Sequence, residues 1–152
     1  MLYIVCRLFF SLWSSWTSFF MEKDTGDIKK SIHEIYAKCE AEKYLEVKSY
    51  SLEITENGFL RYKRVWKNNK SEFFSVKLEK LDDMSYYGTD KQGTFYFKCS
   101  PETVIYQTRR DPRGDIDSMA NEISFPVVNM DEEQLNFFVN NINSLKGLFV
   151  KK

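Results

Sequence analysis

Side chains alternate between apolar and polar along much of this chain, and this alternation limits its fold more than any other feature. A period of two residues is typical of a β-strand with one buried face. It recurs in seven segments separated by short turns: residues 45–55, 59–66, 72–79, 84–88, 94–99, 103–108 and 122–128. Asn57-Gly58 separates the first two segments, and an Asn-Gly pair is a strong hairpin signal. The pattern therefore predicts an antiparallel sheet structure of seven strands.

The period changes to that of a helix after Met130. Asp131 and Gln134 have the spacing of a capping box, and Gly147 is predicted to end the helix. Between them runs an apolar stripe: Leu135, Phe138, Val139, Ile142 and Leu145. A second helix is predicted over residues 25–41, because apolar side chains recur there at helical spacing: Ile28, Ile32, Ile35 and Cys39. The chain therefore combines one helix before the strands and one after them.

Seven short strands followed by one amphipathic helix resemble the element order of the pleckstrin-homology-like (PH-like) superfold. The resemblance covers about residues 45–149 and depends on the Asn57-Gly58 hairpin and on the passages FSVKLEKLDDMSYY and ISFPVVNMDEEQLNFFVNNINSL. It implies an α+β fold, a seven-stranded antiparallel barrel or sandwich with a C-terminal capping helix and an extra N-terminal helix. Strands one to four would pack across strands five to seven. The expected division is a hydrophobic segment over residues 1–20, a helix within 21–44 and the β-domain over 45–152.

The resemblance implies a non-catalytic binding or scaffolding domain, because members of this superfold often bind phosphoinositides, peptides or other proteins. Lipid-binding members place basic residues around a long loop between the first two strands. Here that loop is Glu56-Asn57-Gly58, which is short and acidic, so the usual phosphoinositide pocket is not expected. A peptide can add to a strand edge beside the C-terminal helix in such barrels. Residues 94–99 and the helix over 135–146 would form that edge, and a protein or peptide is the expected partner.

One stretch of the sequence is both basic and aromatic, Arg61-Tyr62-Lys63-Arg64-Val65-Trp66-Lys67. It supplies a candidate basic surface of Arg61, Lys63, Arg64 and Lys67. In a strand Arg64 would lie on the face opposite Arg61 and Lys63. Such a surface can meet anionic lipid headgroups, which is the first alternative function. The 22 basic and 22 acidic residues give zero net charge, which argues against nucleic acid and also fits an ordinary solvated strand face.

The first twenty residues differ in composition from the rest, and Arg7 is their only charge. As a helix this segment would present a candidate membrane-interface stripe: Phe9, Leu12, Trp13, Trp16, Phe19 and Phe20. The uncharged run over residues 8–21 is shorter than the about 20 residues of a spanning helix. Three interpretations follow: a membrane anchor or interfacial helix, an extension upstream of a true start at Met21, or a cleaved signal. We expect a cytoplasmic protein, membrane-associated under the first interpretation.

Sequence motifs for catalysis, metal binding and nucleotide binding are missing. His33 is the only histidine, so multi-histidine metal sites are excluded, and its basic neighbours indicate a surface position. The three cysteines are widely spaced, which indicates reduced thiols. Asp82-Asp83 is expected to form a turn, and residues 109–120 to form a polar loop with solvated carboxylates. We therefore predict no catalytic residue, no metal ligand and no cofactor, with an enzyme of unrecognised type as the second alternative.

Overall fold

Two antiparallel β-sheets and two helices make up the part of the chain that a computed structural model describes, residues 24–39, 41 and 45–150. The elements in chain order are α1 (Thr25–Cys39), β1 (Val47–Ile54), β2 (Phe59–Trp66), β3 (Ser71–Lys77), β4 (Leu81–Gly88), β5 (Gln92–Cys99), β6 (Val104–Arg109), β7 (Asp117–Ala120), β8 (Glu122–Val128) and α2 (Glu132–Val150). The predicted α+β class, with antiparallel sheets and a helix at each end of the described chain, is confirmed. The predicted segment over residues 1–20 lies outside the described residues.

The described residues contain eight strands, one more than the alternation predicts. The additional strand, β7, lies inside the stretch over residues 109–120 that was expected to be a polar loop. Only Ala120 in β7 is partly buried, so the strand has no apolar period to detect. β7 forms because its backbone pairs with β6, with Met119 opposite Ile105.

The strands divide between the sheets differently from the expected arrangement of one to four against five to seven. The larger sheet has the order β1-β2-β3-β6-β7, and the smaller has the order β4-β5-β8. A single 3₁₀ turn, Leu78–Lys80, redirects the chain after β3, with Leu78 and Leu81 buried on either side of the change. β4 therefore joins the smaller sheet instead of extending the larger one.

β5 pairs with β4 on one side and with β8 on the other. The predicted peptide-binding edge at residues 94–99 is therefore wrong, because the backbone groups on both sides of this strand already have partners. Its inward side chains Phe95 and Phe97 are also fully buried. A central strand cannot accept an additional one.

The predicted hairpin between β1 and β2 is confirmed. Thr55 N donates to Phe59 O at 2.9 Å, and Gly58 N donates to Thr55 O at 3.1 Å. Gly58 has a φ of 73°, whereas Asn57 has no positive φ, so the loop has three residues with the left-handed one last. A Cβ at position 58 would lie 2.8 Å from Cγ of Phe149, so the end of α2 packs directly on this turn.

The core lies between the two sheets and against the apolar faces of both helices. Tyr36 of α1 contacts Tyr50 and Tyr62 of the larger sheet and Phe125 of the smaller one, with centroid distances of 5.7, 6.5 and 5.5 Å. Phe138 of α2 lies 5.1 Å from Phe95 by the same measure. Aromatic pairs at these separations stabilise a core beyond the area they bury. α1 is therefore part of the domain and not a linker that precedes it.

The start of α2 agrees with the prediction and its end does not. Gln134 N donates to Asp131 Oδ1 at 2.8 Å, and Asp131 N donates to Gln134 Oε1 at 3.1 Å, which is a complete capping box. The helix continues through Gly147 to Val150, because Leu148 and Phe149 pack against the core. Their burial outweighs the helix penalty of about 1 kcal/mol for one glycine.

Candidate functional site

The outer edge of β4 is one of the free strand edges in the described part of the chain, and it lies beside α2. In the described part of the chain β4 has one strand neighbour, β5. On its other side, α2 lies next to the first half of the strand. Between them is a groove of about 300 Å³, which is lined by Leu81, Asp82, Asp83, Met84, Val139, Asn143 and Lys146.

Helical spacing places α2 side chains in this groove. Phe138, Ile142 and Leu145 are fully buried and fix the apolar side of α2 against the core. Val139 and Asn143 are four residues apart, so they share the neighbouring flank of the helix that faces β4. The apolar stripe in the sequence thus determines which polar residues of α2 border the groove.

Lys146 connects α2 to the start of β4. Its Nζ donates to the backbone oxygen of Leu81. This bond satisfies one edge carbonyl and closes the groove at that end. This contact could not be predicted from the sequence, because the spacing of residues on α2 does not indicate which strand lies alongside.

The carboxylates of Asp82 and Asp83 line the groove between β4 and α2. The register between β4 and β5 shifts between Leu81 and Asp83, so Asp82 occupies a β-bulge and not the predicted turn. Ser100 Oγ donates to Asp82 Oδ1 at 3.1 Å, and Ser85 Oγ donates to Asp83 Oδ2 at 3.2 Å. Both residues are exposed, and neither forms an ion pair within the residues that the structure describes. The groove therefore carries negative charge that is available to a basic partner.

The described thiols lack nucleophilic character. Burial, with smaller contributions from Asp82 and Glu122, raises the pKa of Cys99 to about 11. Burial and the nearby Asp131 carboxylate also raise the pKa of Cys39. Both groups are therefore protonated near neutral pH, and a thiol is a much weaker nucleophile than a thiolate.

The four residues of the predicted basic surface do not share one face. Arg61 and Lys63 are exposed on the outside of the larger sheet, as the alternation of side chains predicts. Lys67 is exposed in the turn after β2. Arg64 instead points inward, where its Nε donates to Glu72 Oε2 at 2.5 Å and its guanidinium lies 4.8 Å from the Trp66 ring centroid.

Glu72 is the centre of a buried polar network. Two groups besides Arg64 contact its carboxylate. Lys70 Nζ lies 3.0 Å from Glu72 Oε1, and the Tyr106 hydroxyl donates to the same oxygen at 3.3 Å. Burial raises the pKa of Glu72, but the hydrogen bond and charge of Arg64 and the hydrogen bond of Lys70 outweigh it and lower that pKa below its ordinary value. Lys70 also lies 2.8 Å from Asp111 Oδ2. The network thus connects the β2–β3 turn to the loop after β6.

The remaining predicted features do not assemble into a site. His33 is exposed on α1. Asp117 Oδ1 accepts from Gln107 Nε2 at 2.7 Å and lies 3.3 Å from Arg109 Nη1. Among the described residues, no three His, Cys, Asp or Glu side chains are placed to hold a metal ion. The candidate membrane-interface stripe lies outside the described residues: Phe9, Leu12, Trp13, Trp16, Phe19 and Phe20.

Neither helix of the described chain is both long enough and apolar enough to cross a bilayer. Comparison of the chain with family models, with curated proteins and with solved structures finds no match.

Proposed function

We propose that this chain is a non-catalytic binding domain, which holds an extended peptide segment along the free edge of β4 beside α2. The observation that carries the proposal is the position of β4, which has β5 on one side and the groove below α2 on the other. An added strand would find unpaired backbone donors and acceptors on β4, and its side chains would contact α2. The PH-like resemblance remains a prediction. It implied a peptide-binding edge at residues 94–99, whereas we propose that the peptide binds along β4.

The groove favours a particular kind of peptide. The bulge at Asp82 and the bond from Lys146 obstruct the start of β4, so pairing is expected along residues 84–88. Side chains alternate along an extended peptide, and those directed at α2 would meet Val139. Asp82 and Asp83 favour a lysine or arginine in the peptide near the obstructed end. The expected partner is therefore an extended segment with alternating apolar residues and one basic end.

The groups with shifted pKa values support binding over acid–base catalysis. Lys70 and Asp111 line a second surface groove of about 400 Å³, at the end of β2. The pKa of Lys70 is raised mainly by its hydrogen bond to Asp111, and the pKa of Asp111 is lowered mainly by the same bond. Both shifts move the groups away from neutrality and keep them charged. A general acid or base needs a pKa near the working pH, so this pair suits a structural role.

The test uses a displayed library of random short peptides, panned against the full chain and then titrated as individual synthetic peptides. Asn143→Trp would fill the groove from α2, since Asn143 is exposed at its border. We expect the selected peptides to bind this variant at least about tenfold more weakly. We also expect the backbone amides of residues 84–88 to shift and to gain exchange protection when the peptide binds.

Ser144→Trp is the matched control, because it puts the same ring one residue further along α2, where Ser144 is exposed and does not border the groove. It should bind the peptides as the unmodified chain does. The proposal fails if the library yields no binder, if both tryptophan variants bind equally, or if the amide shifts lie outside β4 and α2.

A further inference from the structure

The outside of the larger sheet combines exposed cations with exposed aliphatic side chains. Residues directly opposite each other in antiparallel strands share a face of the sheet. Lys63 is opposite Phe73, Phe59 is opposite Lys77, and Ile105 is opposite Met119. The outer sheet face, as we define it, consists of Phe59, Arg61, Lys63, Phe73, Lys77, Ile105 and Met119. The sequence identified only Arg61 and Lys63 of this set, because all the others except Phe59, which also lies in β2, come from strands that pairing alone brings together.

We propose that the outer sheet face binds the surface of an anionic lipid bilayer. This interaction is separate from peptide binding, because the face belongs to the larger sheet and the β4 groove to the smaller one. The chemistry recognised is negative headgroup charge above an apolar layer.

Most of the positive charge on this face is not neutralised within the described residues. Arg61 and Lys63 are exposed, and neither forms an ion pair there. Lys77 Nζ lies 3.9 Å from Glu79 Oε1, which is a long contact between exposed groups. Two carboxylates lie on the same side of the sheet as these cations: Glu53, which is opposite Arg61, and Asp117, which is bound to Arg109. The exposed cations therefore outnumber the exposed carboxylates, and an anionic surface would attract this face.

The apolar groups on the face favour lipid over single-stranded nucleic acid. Ile105 is 41% exposed and Met119 is 50% exposed, and the pairing of β6 with β7 puts these two side chains next to each other. The ring of Phe73 already has Lys63 Nζ 5.2 Å from its centroid, and Lys77 Nζ lies 5.7 Å from that of Phe59. The nucleobases of a single strand need free aromatic faces on which to stack. Aliphatic side chains flanked by lysines instead suit the boundary between the headgroups and the acyl chains of a bilayer.

The amino-acid sequence contains a second feature that suits a bilayer. Residues 1–20 are mostly apolar, contain two tryptophans, Trp13 and Trp16, and carry a single charge, on Arg7. Stable attachment to a membrane usually takes two weak signals, such as an apolar segment and a basic surface. The outer sheet face would supply the basic signal.

The test measures sedimentation of the full chain with vesicles of phosphatidylcholine alone and of phosphatidylcholine mixed with phosphatidylserine. The variant Arg61→Glu/Lys63→Glu/Lys77→Glu reverses three charges on the face. We expect it to lose about fivefold in partitioning for each residue, or about 100-fold in all, on the anionic vesicles only. Binding to neutral vesicles, including any binding by residues 1–20, should be unchanged.

The control variant Lys30→Glu/Lys38→Glu/Lys91→Glu makes the same change in net charge at exposed positions away from the face. This control should lose much less binding to the anionic vesicles. Ile105→Ser/Met119→Ser should weaken the part of the binding to anionic vesicles that persists at high salt. The proposal is overturned if the unmodified chain does not distinguish the two vesicle types, or if both triple variants lose equally. Charge-dependent binding of a single-stranded oligonucleotide without vesicle binding would also overturn it. None of these outcomes bears on the peptide groove.

Discussion

At the scale of single residues, the environment of Glu72 shows how a charged side chain becomes part of a core. Glu72 is 6% exposed, yet Arg64, Lys70 and Tyr106 all contact its carboxylate. The desolvation of a buried carboxylate is costly unless charged and hydrogen-bonding partners surround it. Arg64 is thereby committed to the interior and is unavailable to a surface partner.

We expect Glu72→Gln to lower the free energy of unfolding by about 3–5 kcal/mol at neutral pH, because it leaves Arg64 without its charged partner. The folded pKa of Glu72 lies below its ordinary value of 4.5. The contribution of Glu72 to the free energy of unfolding is therefore complete above pH 4.5 and is lost as the pH falls through the lower pKa of the folded state. Urea unfolding at pH 7 and at about pH 3 should show that the difference in free energy of unfolding between the unmodified chain and Glu72→Gln is smaller in acid. The control Glu53→Gln, at an exposed position, should change the free energy of unfolding by less than about 0.5 kcal/mol. If the effect of Glu72→Gln were the same at both pH values, the lowered pKa of Glu72 would be contradicted.

At the scale of elements, two glycines that look alike in the sequence have opposite roles. Gly58 has a φ of 73°, and a Cβ there would meet the Phe149 ring. Gly147 lies inside α2, and a Cβ there would meet nothing within 4 Å. The first glycine is required by the hairpin and by the end of α2, whereas the second only weakens a helix that packing holds together.

We expect Gly147→Ala to raise the free energy of unfolding by about 1 kcal/mol, because alanine has the better helix propensity and the site is open. Gly58→Ala should lower it by more than about 1 kcal/mol, because the turn needs a left-handed residue and the methyl group would displace Phe149. Thermal and urea unfolding of both variants measure these changes. Equal effects of the two substitutions would show that α2 does not continue over the hairpin.

At the scale of the whole molecule, α1 joins the two sheets. Tyr36 is 1% exposed and contacts aromatic rings from both sheets, while Cys39 Sγ approaches Asn129 O at 3.6 Å near the start of α2. α1 and α2 together cover the space between the sheets. The two proposed surfaces, the β4 groove and the outer sheet face, remain outside this shared core.

We expect Tyr36→Ala to lower the free energy of unfolding by about 3–5 kcal/mol, as other deletions of large buried aromatic side chains do. Unfolding should remain a single transition, because α1 and both sheets share one core. His33→Ala, on the exposed side of the same helix, should have an effect below about 0.5 kcal/mol. If circular dichroism and tryptophan fluorescence gave separate transitions, α1 would be an appendage and the shared core would be refuted.

Local patterns predicted most of the elements correctly. The alternation located β2 and β8 over residues 59–66 and 122–128, and the Asp131–Gln134 capping box located the start of α2. These signals work because each depends on residues close together in the chain, where the period of buried side chains reports the backbone conformation. The missed strand, β7, has almost no buried side chain and therefore produces no such period.

The sequence by itself determined both helices and seven of the eight strands that the structure describes, and it showed which side chains of each element share a face. It put Arg61 and Lys63 on one face of β2 and Arg64 on the other, although the predicted basic surface included all three. Only the tertiary structure decided that β5 is central, that β4 has a free edge beside α2, and that Ile105 and Met119 join the lysines on one face. The physical reason is that side-chain periodicity is a local property, whereas a strand's neighbours depend on pairing between residues far apart in the chain.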